Sequence, residues 1–237
     1  MEQLRKPSGV IFDFGDTVLH LESFDTLAGN RRLLELASVN PGLSAEEVQA
    51  AFDELRWMEH TRDASMIEFD CQTLHRLVYE TLGISFPVSY AETEREFWRS
   101  SVKYKPMPGI YDLLDVLEAK GIKTGIVSNT IFSSAVLAEE LAKHDLARRF
   151  SFVVSSGDYG IRKPHACIFR LAANKLGLPA SSIWFVGDKP DYDVKGALDS
   201  GLYPVWYNWR HETRVFDGNY LEITALGGLI DEILRLI

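Results

Sequence analysis

Acidic residues stand after two apolar stretches of this 237-residue chain. The apolar residues 9–12 lead into Asp13, and residues 183–186 lead through a glycine into Asp188, with Asp193 shortly after. Apolar, β-branched runs of this kind are typical of strands buried on both faces of a parallel sheet. Ligands of such sheets bind beyond the carboxyl ends of the strands. Carboxylates at these positions are suited to hold a hard divalent cation.

Other polar residues follow two further predicted strands. Ser128 and Asn129 come directly after the predicted strand at residues 122–127, and Lys163 lies in the loop after residues 152–154. A hydroxyl, an amide and an ammonium group are suited to the oxygens of a phosphoryl group. Each residue alone also has an ordinary interpretation, such as a helix cap for Ser128 or a solvated charge for Lys163. Together with the three carboxylates they indicate a magnesium ion beside a phosphoryl group.

Helices and strands alternate strictly from residue 110 onward. The apolar patterns predict helices at 110–120, 133–143, 165–176, 191–200 and 225–236, and strands at 122–127, 152–154, 183–186 and 203–207. Alternation of this kind gives right-handed crossovers and a parallel sheet covered by helices on both faces. We therefore expect all the polar strand ends at one edge of an α/β sheet.

Residues 20–105 have a different pattern, with helix signals and no convincing strand. Ser44 and Glu47, and again Ser89 and Glu92, have the spacing of a capping box at the start of a helix. The two prolines of residues 105–109 are typical of a stiff return linker. The expected organisation is a core domain of residues 1–19 and 106–237, with residues 20–105 inserted after the first strand as a helical domain.

Composition excludes several classes of protein. Hydrophobic residues make up 46% of the chain and charged residues 25%, which is typical of a globular protein. The net charge of −9 argues against nucleic acid or an anionic membrane as the main partner. Cys71 and Cys167 form no disulfide framework, and no apolar run has the length of a signal peptide or membrane span. We therefore expect a cytoplasmic protein, of an oligomeric state that the sequence does not indicate.

The ordered motifs resemble the haloacid dehalogenase (HAD) superfamily of phosphohydrolases. Motif I resembles Asp13-x-x-x-Thr17, motif II is Ser128-Asn129, motif III is Lys163 followed by proline, and motif IV runs from Gly187 to Asp193. The resemblance covers the whole chain, with the insert in the position of that superfamily's helical C1 cap. It implies a three-layer α/β/α Rossmann-like core and hydrolysis of a small phosphorylated metabolite.

The resemblance also implies a role for each motif residue. Asp13 would be the nucleophile that forms an aspartyl-phosphate, and also a ligand of Mg²⁺. Gly15 would offer its backbone carbonyl to the metal, and Asp188 and Asp193 their carboxylates.

Three other motif residues would face the phosphoryl group. Ser128 would bind a phosphoryl oxygen with Asn129 close by, and Lys163 would neutralise charge on the nucleophile and the phosphoryl group.

One departure from the superfamily lies in motif I. The usual motif is Asp-x-Asp-Gly-Thr, whereas here Gly15 and Asp16 have exchanged places. The usual second acid protonates the leaving alcohol and activates the water, and such help contributes roughly 10²–10⁴-fold. Gly15 lacks the group for this, and Asp16 is the candidate to replace it if the turn directs its carboxylate inward. His20, at the entry to the insert, is a further candidate or a plain surface histidine.

Two rival functions stay open at this point. A 2-haloacid dehalogenase uses an aspartate nucleophile without a metal, and the presence of both Asp188 and Asp193 argues against it. A phosphate-sensing or partner-binding protein of this fold with little turnover is the other, and Gly15 favours it. Four residues of the insert, Arg56, Trp57, His60 and Arg62, are candidates for the substrate pocket, although core or surface positions are commoner for such residues.

Overall fold

Six parallel strands build the central sheet of the computed structural model, which describes residues 6–55 and 57–236 without the side chains of 59, 60 and 63. The strands of this sheet are β1 (Gly9–Phe12), β4 (Lys123–Ser128), β5 (Val153–Ser155), β6 (Ile183–Gly187), β7 (Tyr203–Tyr207) and β8 (Leu221–Ile223), while β2 (Leu19–Phe24) and β3 (Val102–Pro106) form a separate two-stranded sheet. The helices are α1 (Thr26–Leu36), α2 (Ala45–Asp53), α3 (Trp57–Ser65), α4 (Cys71–Thr81), α5 (Tyr90–Ser101), α6 (Ile110–Ala119), α7 (Ser134–Lys143), α8 (Ser156–Tyr159), α9 (Ala166–Leu176), α10 (Lys195–Asp199) and α11 (Leu226–Arg235).

Strand order places the polar strand ends side by side. The sheet runs β5-β4-β1-β6-β7-β8, so that β1 lies between β4 and β6. Phe12 at the end of β1 is level with Ile126 of β4 and Val186 of β6. The residues that follow these three strands therefore meet at one edge, as the sequence predicts.

Helices cover both faces of the sheet because the side chains of its central strands β1 and β6 are all apolar. Val10 and Phe12 face a core shared with α6, α7 and α11, whereas Ile11 faces a second core shared with α9 and α10. The side chains of Val10, Ile11 and Phe12 are completely buried. The predicted three-layer α/β/α architecture is confirmed, with element bounds that differ from the predicted ones by a few residues.

Three parts of the chain differ from the sequence-based prediction. The predicted helix at 191–200 begins instead with a turn of π-helix, Pro190–Val194, before α10. The expectation of no strand within 20–105 is wrong, because β2 and β3 pair as an antiparallel ribbon with an irregularity between Leu21 and Ser23. The edge strand β8 was not predicted either. Ribbon partners lie far apart in the chain, and β2 is mostly exposed, so no apolar alternation marks it.

Helices α1–α5 form a unit, called here the helical insert, that is joined to the sheet by the ribbon. The predicted domain limits at 20 and 105 fall inside the two ribbon strands. The capping box of Ser44 and Glu47 is present in both directions. Buried polar contacts also join the insert to the core: Glu94 accepts from the backbone N–H of Ser133 at 2.6 Å, and Trp98 donates to Glu140 at 2.8 Å.

From the sequence, neither a membrane-spanning segment nor a disulfide framework is expected. Among the described residues no helix combines the length and the apolar character needed to cross a membrane. Cys71 and Cys167 are both free thiols.

His75 is a buried imidazole in the centre of the helical insert. Its ring meets the rings of Phe52, Tyr79 and Phe97 edge to face, with centroids 5.2–5.9 Å apart, and its Nε2 lies 3.3 Å from the Cys71 sulfur. Burial lowers the pKa of His75 from its ordinary 6.5 to about 4. The folded protein therefore holds this side chain neutral.

The His75→Phe variant is expected to lose less stability on acidification than the wild type. The pKa of His75 is lower in the folded than in the unfolded chain. Its contribution to the free energy of unfolding is therefore complete above pH 6.5 and is lost as the pH falls toward 4. The loss is roughly 1.4 kcal/mol per pH unit in that window. Urea unfolding of both proteins at neutral and mildly acidic pH measures the difference, and equal acid losses would contradict the prediction.

Candidate active site

Three buried carboxylates meet at the edge of the sheet where β1 and β6 end. Asp13, Asp188 and Asp193 each offer an oxygen, and these oxygens lie within 4.8 Å of one another. The backbone N–H of Asp13 donates to Val186 at 2.8 Å, which extends the pairing of β1 and β6. A Cβ on Gly187 would stand 2.3 Å from the Asp193 carboxylate, so only glycine allows the π-turn to bring Asp193 this close. These are the three carboxylates that the sequence analysis singled out.

Lys163 contacts two carboxylates of this cluster and is itself almost completely buried. Its Nζ donates to Asp13 Oδ1 at 2.5 Å and to Asp193 Oδ1 at 2.7 Å. Burial alone lowers the pKa of Lys163, but the two carboxylates outweigh burial and raise the pKa above its ordinary value. Burial raises the pKa of Asp13 to about 7, against the opposing effect of Lys163. The ammonium is therefore held charged, next to a nucleophile candidate that needs further positive charge to stay ionised at neutral pH.

Ser128 and Asn129 stand beside the cluster at the end of β4. Both line the same cavity as Asp13, and Ser128 is buried. The Asn129 side chain pairs with the backbone of Lys163: its Oδ1 accepts from the lysine N–H at 2.7 Å, and its Nδ2 donates to the lysine carbonyl at 2.9 Å. Asn129 thus fixes the backbone that carries Lys163. The second hydrogen of its Nδ2 is not used in this pair, so the predicted contact with a phosphoryl group stays a prediction.

The donor set fits a hard divalent cation. Asp188 Oδ1 is buried and has no hydrogen-bond partner among the described residues, while Oδ2 of the same carboxylate binds Arg210. A buried carboxylate oxygen without a partner is costly unless a cation satisfies it. Three carboxylates with space for water are the ligands that Mg²⁺ prefers. Gly15 lines the same cavity, and the use of its carbonyl as a ligand stays a prediction.

Gly15 and Asp16 form the turn in which the motif departs from the superfamily. Gly15 has an ordinary φ, and a Cβ at this position would meet no atom within 4 Å. Asp16 has the left-handed conformation with φ +58°, and its Oδ1 lies 2.8 Å from Nδ1 of His20. Its Oδ2 accepts from Arg210. The Asp16 carboxylate borders the cavity, but both of its oxygens are engaged by cationic or hydrogen-bonding neighbours.

Sequence reasoning missed three residues at this site. Arg162 and Tyr104 line the cavity, and Arg210 bridges Asp16 and Asp188 from the loop after β7. Arg162 directly precedes Lys163, and Arg210 follows the predicted strand 203–207. The rule that polar residues after strands gather at one edge would have found Arg210 had it been applied to this strand. Tyr104 lies on the ribbon strand β3, whose pairing no local signal showed.

Two cavities of similar size lie near each other. The one over the carboxylates has a volume of about 310 Å³, and the other, about 380 Å³ within the helical insert, is lined mainly by aromatic and aliphatic side chains. The smaller one holds the acidic cluster and is therefore the candidate active site. Of the four insert candidates, Arg62 lines the larger cavity and pairs with Glu68 at 3.3 Å, while Trp57 is exposed. Arg56 and the side chain of His60 lie outside the described residues.

Replacing Lys163 by methionine is expected to destabilise the protein strongly. Removal of the ammonium leaves Asp13 and Asp193 buried without their cation, and breaking a buried ion pair in this way costs about 3–5 kcal/mol. Lys189→Met is the matched control, because the Lys189 side chain is 52% exposed and its Nζ lies 3.4 Å from Asp188. Urea unfolding measures both variants. Equal losses of unfolding free energy in the two variants would contradict the prediction that the buried ion pairs of Lys163 stabilise the fold more than an exposed lysine does.

Comparison with known proteins identifies the family of this chain. Residues 7–201 match the family model for haloacid dehalogenase-like hydrolases. A glyceraldehyde 3-phosphate phosphatase of Methanocaldococcus jannaschii is 23% identical over 224 residues, which are 91% of this chain and 87% of that protein. The pyrimidine 5'-nucleotidase YjjG of Escherichia coli is 26% identical over 206 residues, 85% of this chain and 86% of that protein.

A solved structure shows the same fold over the whole chain. The 2-haloacid dehalogenase of Pseudomonas syringae pv. Tomato DC3000 superimposes with a TM-score of 0.68 at 22% identity, covering 99% of this chain and 100% of that one. At this identity the likeness concerns the fold alone. The family model, by contrast, spans most of the sequence, including the segments that carry Asp13, Ser128, Lys163 and Asp188. The chain therefore belongs to the family of haloacid dehalogenase-like hydrolases.

Proposed function

We propose that this protein is a magnesium-dependent phosphatase that hydrolyses a small phosphorylated metabolite through an aspartyl-phosphate. The observation that carries the proposal is the cluster of Asp13, Asp188 and Asp193, with Lys163 held between two of them. Two relatives that match most of the chain are named as phosphatases or nucleotidases of different substrates. Their names support the substrate class and leave the individual metabolite open.

Magnesium would be held by the carboxylates of Asp13, Asp188 and Asp193 and by the Gly15 carbonyl. The ion would supply positive charge for the phosphoryl oxygens and for the carboxylates around it. Further positive charge next to Asp13 lowers its pKa, which lies at about 7 with Lys163 as its neighbour and no metal ion. Asp13 would then be ionised at neutral pH, as a nucleophile must be.

Asp13 would attack the phosphorus atom, and the bond between phosphorus and the leaving oxygen would break. Lys163 would neutralise charge on Asp13 and on the phosphoryl group, while the Ser128 hydroxyl would donate to a phosphoryl oxygen. Water would then attack the phosphorus of the aspartyl-phosphate, releasing inorganic phosphate and the Asp13 carboxylate. Asn129 would position Lys163 for both steps through its two backbone contacts.

The leaving oxygen needs a proton that residue 15 lacks the group to donate. Asp16 is the proposed replacement, since it borders the cavity next to Gly15. Both of its oxygens already contact neighbours, His20 and Arg210, which restricts the movement of the carboxylate toward a leaving oxygen. We therefore expect the rate to depend strongly on the leaving group, with aryl phosphates, acyl phosphates or sugar 1-phosphates preferred over simple alkyl phosphates.

The same turn favours a second candidate, a HAD-fold binding or regulatory protein with little turnover. It would bind phosphate at Ser128 and Lys163 and would lack efficient proton transfer, since Gly15 carries no acid and Asp16 is held by neighbours. Dehalogenase chemistry has less support, because its likeness rests on the fold alone and the cluster keeps three carboxylates.

Hydrolysis of an aryl phosphate is expected to require magnesium. Activity should disappear with a chelator and return when Mg²⁺ is added, because the phosphoryl charge is otherwise uncompensated. The Asp13→Asn variant is the control for covalent catalysis, since a near-isosteric amide is a poor nucleophile, and we expect no turnover from it. A phosphate-release assay measures both proteins.

Three outcomes of that assay separate the candidates. Activity that survives chelation would contradict the magnesium assignment. Turnover by Asp13→Asn would contradict the aspartyl-phosphate. No phosphate release by the wild type, together with binding of inorganic phosphate in a separate calorimetric titration, would favour the binding protein.

The Gly15→Asp variant is expected to gain activity, most of all on substrates with poor leaving groups. The turn accepts a side chain here, because φ is ordinary and the Cβ position is open. A general acid contributes roughly 10²–10⁴-fold, so a gain of at least about tenfold on alkyl phosphates is expected. The measurement is kcat/KM over a series of phosphate esters with leaving groups of graded acidity.

Asp16→Ala is the matched variant in the same series. If the wild type instead shows a shallow dependence on leaving-group acidity that becomes steep in Asp16→Ala, the expected strong dependence is wrong and Asp16 is the acid. A dependence that is shallow in both proteins would contradict the prediction and assign the proton to another residue, with His20 the first to test.

A further inference from the structure

Arg210 binds two carboxylates of the active-site edge at once. Its guanidinium donates from one terminal nitrogen to Asp188 Oδ2 and from the other to Asp16 Oδ2. The guanidinium also stacks on the neighbouring Trp209 ring, 4.2 Å from its centroid. The planar fork of arginine allows one side chain to hold two acids in fixed directions. Asp16, Arg210 and Asp188 are called here the arginine bridge.

Hydrogen bonds of a buried asparagine stabilise the loop that carries Arg210. Asn208 Oδ1 accepts from the Glu212 N–H at 2.7 Å, and Asn208 Nδ2 donates to the Glu212 carbonyl at 2.9 Å and to Glu222 Oε1 at 2.6 Å. These bonds close the loop around residues 209–211. The position of Arg210 is therefore set by the protein scaffold as well as by the two acids it binds.

The arginine bridge also fixes the direction of the Asp188 carboxylate. With Oδ2 bound to Arg210, the carboxylate is not free to rotate, and Oδ1 is left buried without a hydrogen-bond partner among the described residues. This is the oxygen that a divalent cation would take. Groups that bind the second oxygen of a metal-ligating carboxylate commonly orient the ligand and raise metal affinity.

We propose that Arg210 is a positioning residue that raises the affinity of this site for Mg²⁺ by holding Asp188 with Oδ1 directed to the metal. The proposal rests on the magnesium site of the proposed function and assigns a role to a residue outside its four motifs. Asp16 has a part in it as well: its carboxylate offsets the charge of the guanidinium, so that the bridge brings little net positive charge near the cation.

Magnesium binding to protein stripped of metal with a chelator tests the proposal without measuring turnover. Isothermal titration calorimetry with Mg²⁺ alone should show that Arg210→Met binds about tenfold or more weakly than the wild type, as loss of such partners commonly does. Arg210→Lys should lie between the two, because one ammonium replaces the charge but does not hold both acids in place.

Arg214→Met is the matched control from the same loop. Arg214 pairs with the exposed Asp191 at 3.0 Å, and within the described part of the chain no hydrogen bond or ion pair joins it to the three carboxylates of the cluster. Its removal should leave magnesium affinity within about twofold, as expected for an exposed ion pair. Melting temperatures without metal show whether each variant is folded, and Arg210→Lys serves if Arg210→Met is not.

The outcomes separate this inference from the proposed function. If the wild type binds Mg²⁺ and Arg210→Met binds it equally or more tightly, Arg210 does not position the ligand and the inference alone is wrong. If the wild type itself binds no Mg²⁺, the magnesium site of the proposed function is overturned, and the inference with it. Weaker binding by Arg210→Met with unchanged binding by Arg214→Met supports both.

Discussion

The ion pairing of Lys163 with Asp13 and Asp193 is the interaction on which the rest of the site depends. Three buried carboxylates within 4.8 Å repel one another, and burial raises the pKa of Asp13 to about 7. A buried ammonium between two of them offsets part of this repulsion. The sheet has to hold these groups together, because an acidic cluster of this kind does not form in a flexible chain.

Backbone contacts give this interaction its fixed geometry. Asn129 at the end of β4 binds both polar groups of the Lys163 backbone, which ties the third motif to the second. The helical insert reaches the same region, since Glu68 accepts from the Ser156 hydroxyl at 2.9 Å in the segment that leads toward Lys163. A buried polar contact therefore joins the insert to the segment that precedes Lys163, and a lost partner in such a contact is costly.

In the turn of Gly15 and Asp16, the order of the two residues suits neither the backbone conformation nor the usual position of the acid. The left-handed position is residue 16, where glycine would be the unstrained choice, and aspartate is among the few other residues that tolerate it. Gly15 has no conformational need to be glycine, since its φ is ordinary and its Cβ position is open. Compared with the usual motif, the acid stands one position later in the chain. At this position Arg210 and His20 contact its carboxylate.

The sequence by itself determined the layered α/β core and the membership of the carboxylate cluster, because strand ends of a parallel sheet share one edge wherever the connecting helices lie. The tertiary structure alone decided the β2–β3 ribbon, the π-turn that brings Asp193 to Gly187, and the placement of Arg210. The ribbon and the placement of Arg210 depend on partners distant in the chain: Val102 pairs with Phe24, and Arg210 with Asp16. Local apolar periodicity reports which face of an element is buried, and it carries no information on which distant side chain a charged group will meet.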